Sequence, residues 1–129
     1  MAKQFTLGKH ERLKSRKSID QLFNEGKKIV AAPYRVNYLL HTSVKEPAML
    51  FAVGVSAKNF KKAVDRNRVK RLTREAWRLQ KNSLKEIVIA KKIQLHLFFI
   101  YTGKEILTFE ETYRKVGVIE KKLQKLVDS

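Results

Sequence analysis

Cysteine is absent from the 129 residues. Its absence excludes disulfides and thiolate metal sites, and fits a reducing compartment. Long apolar runs are missing too. The longest, "LHLFFIY" at 95–101, has strand length, far short of the roughly 18 residues that span a bilayer. The opening "MAKQFTLGKHERLKSRKS" has neither an apolar h-region nor a small-residue cleavage site, so the expectation is a soluble, cytoplasmic protein. No internal repeat, low-complexity linker or break in composition divides the chain. One domain over 1–129 is expected, with 1–14 as a basic N-terminal segment anchored by Phe5, Leu7 and Leu13. Acidic residues are scarce: 12 Asp and Glu face 29 Lys and Arg, for a net charge of +17. Folding does not require such an excess, and self-repulsion opposes it. It implies a polyanionic partner: nucleic acid, an anionic membrane or an acidic protein. An apolar fraction of 43% excludes a disordered basic tail.

Nuclease chemistry of the protein's own is also missing. The histidines His10, His41 and His96 form no spaced pair, and His96, in an apolar strand, reads as a satisfied core residue. No close group of Asp and Glu suggests the two-metal site that phosphoryl hydrolysis uses. No catalytic residue and no metal ligand is therefore expected in the protein.

The elements follow from periodicity and caps. "SRKSIDQLFNEGKK", 15–28, predicts a short helix capped by Ser15 or Ser18, with Ile19, Leu22 and Phe23 on one face and Gly26 ending it. "KIVAAPYRVNYLLH" predicts two strands parted by Pro33. In the second, Tyr34, Val36, Tyr38 and Leu40 alternate with Arg35, Asn37 and Leu39. "AMLFAVGVS", 48–56, and "IQLHLFFIYTG", 93–103, read as strands apolar on both faces, which belong inside a sheet. Residues 82–92 either extend the long helix before them or form a separate turn. Thr108 and Glu111 make a capping box for a last helix carrying Phe109, Tyr113, Val116, Leu123 and Leu126 at helical spacing. The order predicts an α+β domain, one sheet with helices packed on it.

"KKAVDRNRVKRLTREAWR", 61–78, is dense in Lys and Arg, opposed only by Asp65 and Glu75. At about 100° per residue, Val69, Leu72, Ala76 and Leu79 form the apolar stripe. Arg66, Lys70 and Arg74 form a ridge on the opposite flank, with Asn67, Arg71 and Arg78 beside it. Arg68 lies nearest the Leu79 edge. Uncompensated cations at i, i+4 repel, and phosphate is the natural counter-charge, gripped by paired guanidinium hydrogen bonds. A recognition helix of helix-turn-helix type needs a companion helix just before it. Here "FAVGVSAKNF" reads as strand and loop instead. Trp77 flanks the stripe and reads as core.

That run resembles the signature of the bacterial ribonuclease P protein subunit: Arg66, Asn67 and Arg68, then Val69, Lys70, Arg71, Leu72 and Arg74, opening a long helix after an apolar strand. "ERLKSRKSIDQLFNEGKK" is similar to the family's first helix, and the likeness covers roughly residues 5–80. The resemblance implies a four-stranded sheet with a left-handed β-α-β crossover, similar to domain 2 of ribosomal protein S5. It implies a ribonucleoprotein endonuclease that removes the 5′ leader of precursor tRNA, leaving a 5′-phosphate. The catalytic centre and its Mg²⁺ would belong to the RNA subunit and substrate, with no organic cofactor. The partners would be ribonuclease P RNA and precursor tRNA, and the free protein would be monomeric. Lys58, Lys61, Lys62, Arg66, Asn67, Arg68, Lys70, Arg71 and Arg74 would contact RNA. Ile19, Phe23, Asn37 and Arg74 would line the leader cleft, with Phe23 either stacking on leader bases or lying in the core. The chain departs from the pattern in lacking aromatics at Ile19 and Asn37 and in carrying Ala57-Lys58 where members often have two lysines. The alternative is a non-enzymatic RNA-binding protein of ribosomal or RNA-assembly type.

Overall fold

Side chains that alternate along a strand must part to opposite faces of a sheet, and the second strand's alternation does so here. The computed structural model describes residues 11–42 and 44–128. Its elements are α1 (Arg16–Glu25), β1 (Lys27–Ala31), β2 (Tyr34–His41), β3 (Ala48–Val55), α2 (Ala63–Gln80), α3 (Asn82–Ala90), β4 (Gln94–Tyr101) and α4 (Phe109–Asp128). The strands form one sheet in the order β1-β2-β4-β3. β1, β2 and β4 pair antiparallel, while β3 runs parallel to β4. A parallel pair needs a crossover, and α2 with α3 supplies it.

The strand expected inside the sheet, β4, is inside it. β3, equally apolar, is instead the edge of the four-stranded ladder. The N-terminal segment closes that edge: Leu13 N–H donates to the Phe51 carbonyl at 2.9 Å, and Arg12 bridges Phe51 in parallel. Leu13 is buried, as an anchor should be. Phe5, Leu7 and His10 lie outside the described residues.

One face of the sheet carries the main core. Val36, Phe51, Leu97 and Phe99 meet Trp77 of α2 and Val116, Ile119 and Leu123 of α4 there. Trp77 is fully buried and stacks on Phe51, with ring centroids 5.2 Å apart and planes at 9°. The Tyr34 hydroxyl lies 2.6 Å from Thr73 Oγ1, which donates to the Val69 carbonyl. Burial pushes the Tyr34 phenol up to about 12, so it stays neutral. These contacts correct the expected stripe on α2. The buried residues are Val69, Thr73, Ala76 and Trp77, while Leu72 and Leu79 are only half-buried. The helix is rotated toward Trp77 because the largest ring finds the best-packed seat.

α4 shows a similar shift. Its capping box forms, with Glu111 N–H donating to Thr108 Oγ1 at 3.2 Å and Thr108 N–H to Glu111 Oε1 at 3.3 Å. The face it buries is Thr112, Val116, Ile119, Glu120, Leu123 and Val127, leaving Phe109, Tyr113 and Leu126 exposed. Residues 82–90 form their own helix. Lys81 joins it to α2, buried in an ion pair with Glu11 that ties the N-terminal segment to the joint.

α1 packs on the sheet's other face. Ser15 caps it, accepting from Ser18 N–H at 3.3 Å. Gly26 ends it where the backbone closes on itself: an added Cβ would stand 2.3 Å from the Leu22 carbonyl oxygen and 2.8 Å from that of Tyr38. Leu22 is fully buried beneath the helix.

Candidate RNA-binding surfaces

Rotating α2 toward Trp77 decides which cations face outward. Asn67, Arg68 and Arg71 are exposed and share a shallow groove of about 430 Å³ with Val64. Arg68 therefore stands clear of the apolar stripe it was expected to border. Arg66 turns inward instead. It is half-buried, and its Nη1 donates to the carbonyls of Phe60 at 2.7 Å and Lys61 at 2.9 Å. That clasp holds the turn into α2, where Lys62 offers no side-chain cap and Asp65 sits in the first turn. Lys70 is half-buried. Arg78, placed beside the ridge, is paired with Glu75 on the same helix. Lys58, Lys61 and Lys62 are exposed around the loop leading into α2. The expected straight ridge of Arg66, Lys70 and Arg74 is thus a broader outer face, with Arg66 serving the loop.

Arg74 points to a second surface. It lines a groove of about 240 Å³ at the β3 edge with Arg12, Lys14 and Ala52. Three cations stand there between the helix and the face of the sheet that α1 only partly covers. Strand register fills in that face. Lys28, Asn37, Phe98 and Ala52 form one row across the four strands, and Val30, Arg35, Ile100 and Gly54 the next. Phe23 of α1 leans over the first row, its ring centroid 5.1 Å from that of Phe98 at a 55° tilt.

Phe23 is 40% exposed, which settles it on this open face and away from the main core. Ile19 is half-buried on the same helix. Asn37 is buried, and its Oδ1 has no hydrogen-bond partner. Phe98, Lys28 and Arg35 were not singled out from the sequence. The signal that finds them is pairing: Asn37 and Phe98 are cross-strand partners, so whatever one faces the other faces too. His96 is buried on this face, but it is not satisfied as expected. Nε2 lies 3.3 Å from Gln94 Oε1, Nδ1 has no partner, and burial with neighbouring His41 pulls its pKa down. Among the described residues no three His, Asp or Glu side chains stand close enough to hold a metal ion, and no helix is long and apolar enough to cross a membrane.

An α+β domain with a cationic helix face and a second, aromatic-floored face edged by Arg and Lys has the surfaces of an RNA-binding protein. The family model for Ribonuclease P matches residues 7–124. A ribonuclease P protein component of Porphyromonas gingivalis is 39% identical over 110 residues, covering 85% of this chain and 80% of that one. Among solved structures, the RNase P protein of Staphylococcus aureus superposes with a TM-score of 0.69 at 18% identity, over 88% of this chain and 95% of that one. That of Thermotoga maritima gives 0.67 at 24% identity, over 87% and 96%. At these identities the two structures speak for the fold alone. The chain belongs to the ribonuclease P protein family, the protein components of the ribonucleoprotein that matures the 5′ end of tRNA. The ribosomal or RNA-assembly alternative is set aside.

Proposed function

We propose that the two surfaces divide the work of this subunit. The outer face of α2, with Asn67, Arg68, Lys70 and Arg71 and the flanking Lys58, Lys61 and Lys62, takes the phosphates of ribonuclease P RNA. The open face under α1, with Ile19, Phe23 and Asn37, takes the single-stranded leader of precursor tRNA, and Arg74 stands between the two. The observation that carries this reading is the placement of Phe23. It is half-exposed beside a second aromatic ring, with Arg12, Lys14 and Arg74 along the neighbouring sheet edge. Unstacked bases find π-faces there and their phosphates find guanidinium groups. The RNA subunit and substrate would hold the Mg²⁺, which would supply activation of the water and stabilisation of the leaving oxygen. The protein, monomeric when free, binds and orients.

Reconstitution tests this reading. With a bacterial ribonuclease P RNA the protein should restore cleavage of precursor tRNA at Mg²⁺ concentrations where the RNA alone is slow. RNA-free protein should leave the precursor intact. Cleavage at the mature 5′ end by protein stripped of RNA and contaminating nuclease would place the chemistry in the protein and sink the proposal.

A further inference from the structure

The open face holds a second ring whose role goes beyond the residues assigned so far. Phe98 sits in the middle of β4, half-buried, on the side of the sheet away from the main core. Its neighbours in the row are a polar residue on β2, Asn37, and a small one on β3, Ala52. In the next row Gly54 keeps the ground beside it clear. A Cβ on Gly54 would come within 3.0 Å of Phe98 Cε1 and 3.3 Å of Cζ. The ring therefore lies toward β3 over a glycine, with Phe23 inclined against it. A core phenylalanine is enclosed by apolar side chains on every side. Across the neighbouring elements this one has a ring, an amide, an alanine and a glycine beside it, with His96 and Ile100 before and after it on β4. The amide is itself incomplete, since Asn37 Oδ1 is buried without a partner, an unmet acceptor that makes this a poor site for sealing a core.

We propose that Phe98 is a base-stacking residue of the leader cleft, forming with Phe23 a two-ring wedge beside the buried Asn37. The ligand is a nucleotide of single-stranded RNA, and the inference rests on the leader-cleft reading above. Phe98 supplies from β4 the ring that β2, with Asn37, does not. Gly54 acts as a positioning residue by leaving the ring its seat.

The test uses the holoenzyme with matched precursor and mature tRNA. Phe98→Leu keeps the volume apolar but removes the π-face. It should weaken precursor binding roughly tenfold, leave mature tRNA binding and assembly with the RNA subunit unchanged, and keep the melting temperature close to wild type. Phe98→Tyr should restore precursor affinity. Gly54→Ala, which crowds the ring without deleting it, should give a smaller loss of the same kind. If Phe98→Leu binds precursor as wild type does while Phe23→Ala does not, the cleft stands and Phe98 is no part of it. If Phe98→Leu weakens both tRNAs equally and melts early, Phe98 is structural and the proposal fails. If neither phenylalanine variant separates precursor from mature tRNA, the leader-cleft reading itself fails.

Discussion

On α2, Arg66 commits its guanidinium to the carbonyls of Phe60 and Lys61, while Arg68 faces solvent beside Asn67 and Arg71. The two arginines should respond differently to removal. Arg68→Ala and Arg71→Ala should each flatten the salt dependence of binding to the RNA subunit by roughly 0.7–0.9 in log K against log salt. Stability should stay within about 0.5 kcal/mol of wild type, as for other exposed positions. Arg66→Ala should instead lower stability by about 1–2 kcal/mol, because two loop carbonyls lose a charged donor. Titrations at several salt concentrations, read beside thermal melts of the same variants, check both. An Arg66 variant that melts like wild type but loses salt slope would return Arg66 to the RNA contact set.

Among the elements, α3 has the least support of its own. Lys81 precedes it with helical backbone angles and no side-chain cap. Its buried neighbour on α4 is Glu120, which accepts from the Gln124 amide at 2.8 and 2.6 Å and whose charged form the Leu84 backbone N–H favours. Burial raises the Glu120 carboxyl above its usual 4.5, against the lowering effect of these donors. Its folded pKa therefore exceeds the unfolded one. As pH falls through that window the folded state takes up its proton first, and the protein gains stability from this group. Glu120→Gln, which keeps an acceptor and removes the buried charge, should be at least as stable as wild type at pH 7. Its advantage should shrink as pH falls toward 4.5. Glu120→Ala, which leaves the Gln124 amide without its buried acceptor, should cost about 1–2 kcal/mol. Denaturant melts across pH decide it: an advantage of the Gln variant that widens on acidification would mean that the donors around the carboxylate outweigh burial and hold its pKa down.

For the whole molecule the net charge of +17 sets a further expectation. Self-repulsion in the free protein weakens as salt screens it, so its melting temperature should rise with added monovalent salt. Bound to the RNA subunit the trend should reverse. At low salt, RNA at a hundred times its Kd should add about 2.7 kcal/mol of stability, and that gain should vanish as salt releases the complex. Opposite slopes for free and bound protein in one series of melts would show that the charge serves binding and opposes folding. Parallel slopes would show that the charge does not serve binding.

Local chemistry made much of this protein readable in advance. Ser15 and the Thr108–Glu111 box begin helices because side-chain oxygens next to free N–H groups need no distant partner. The alternation in β2, the central place of β4 and the buried Trp77 follow from period and hydrophobicity alone, and the choice of RNA among polyanions follows from the family resemblance that the Arg66–Arg74 run carries. Other features depend on neighbours that no local pattern names. α2 turned to seat Trp77 on Phe51 and Thr73 on Tyr34, and this sent Arg68 outward and Arg66 to the loop. β3 lies at an edge because residues 12–13 cover it. The start of α3 lies beside a buried carboxylate, Glu120, more than thirty residues away. Phe98 became part of a surface only when register set it beside Asn37 and a helix from the other end of the chain laid Phe23 on it. A chain can encode which face of an element is apolar, but the phase of that face and the company of each exposed ring are settled by packing, where the largest side chains choose first.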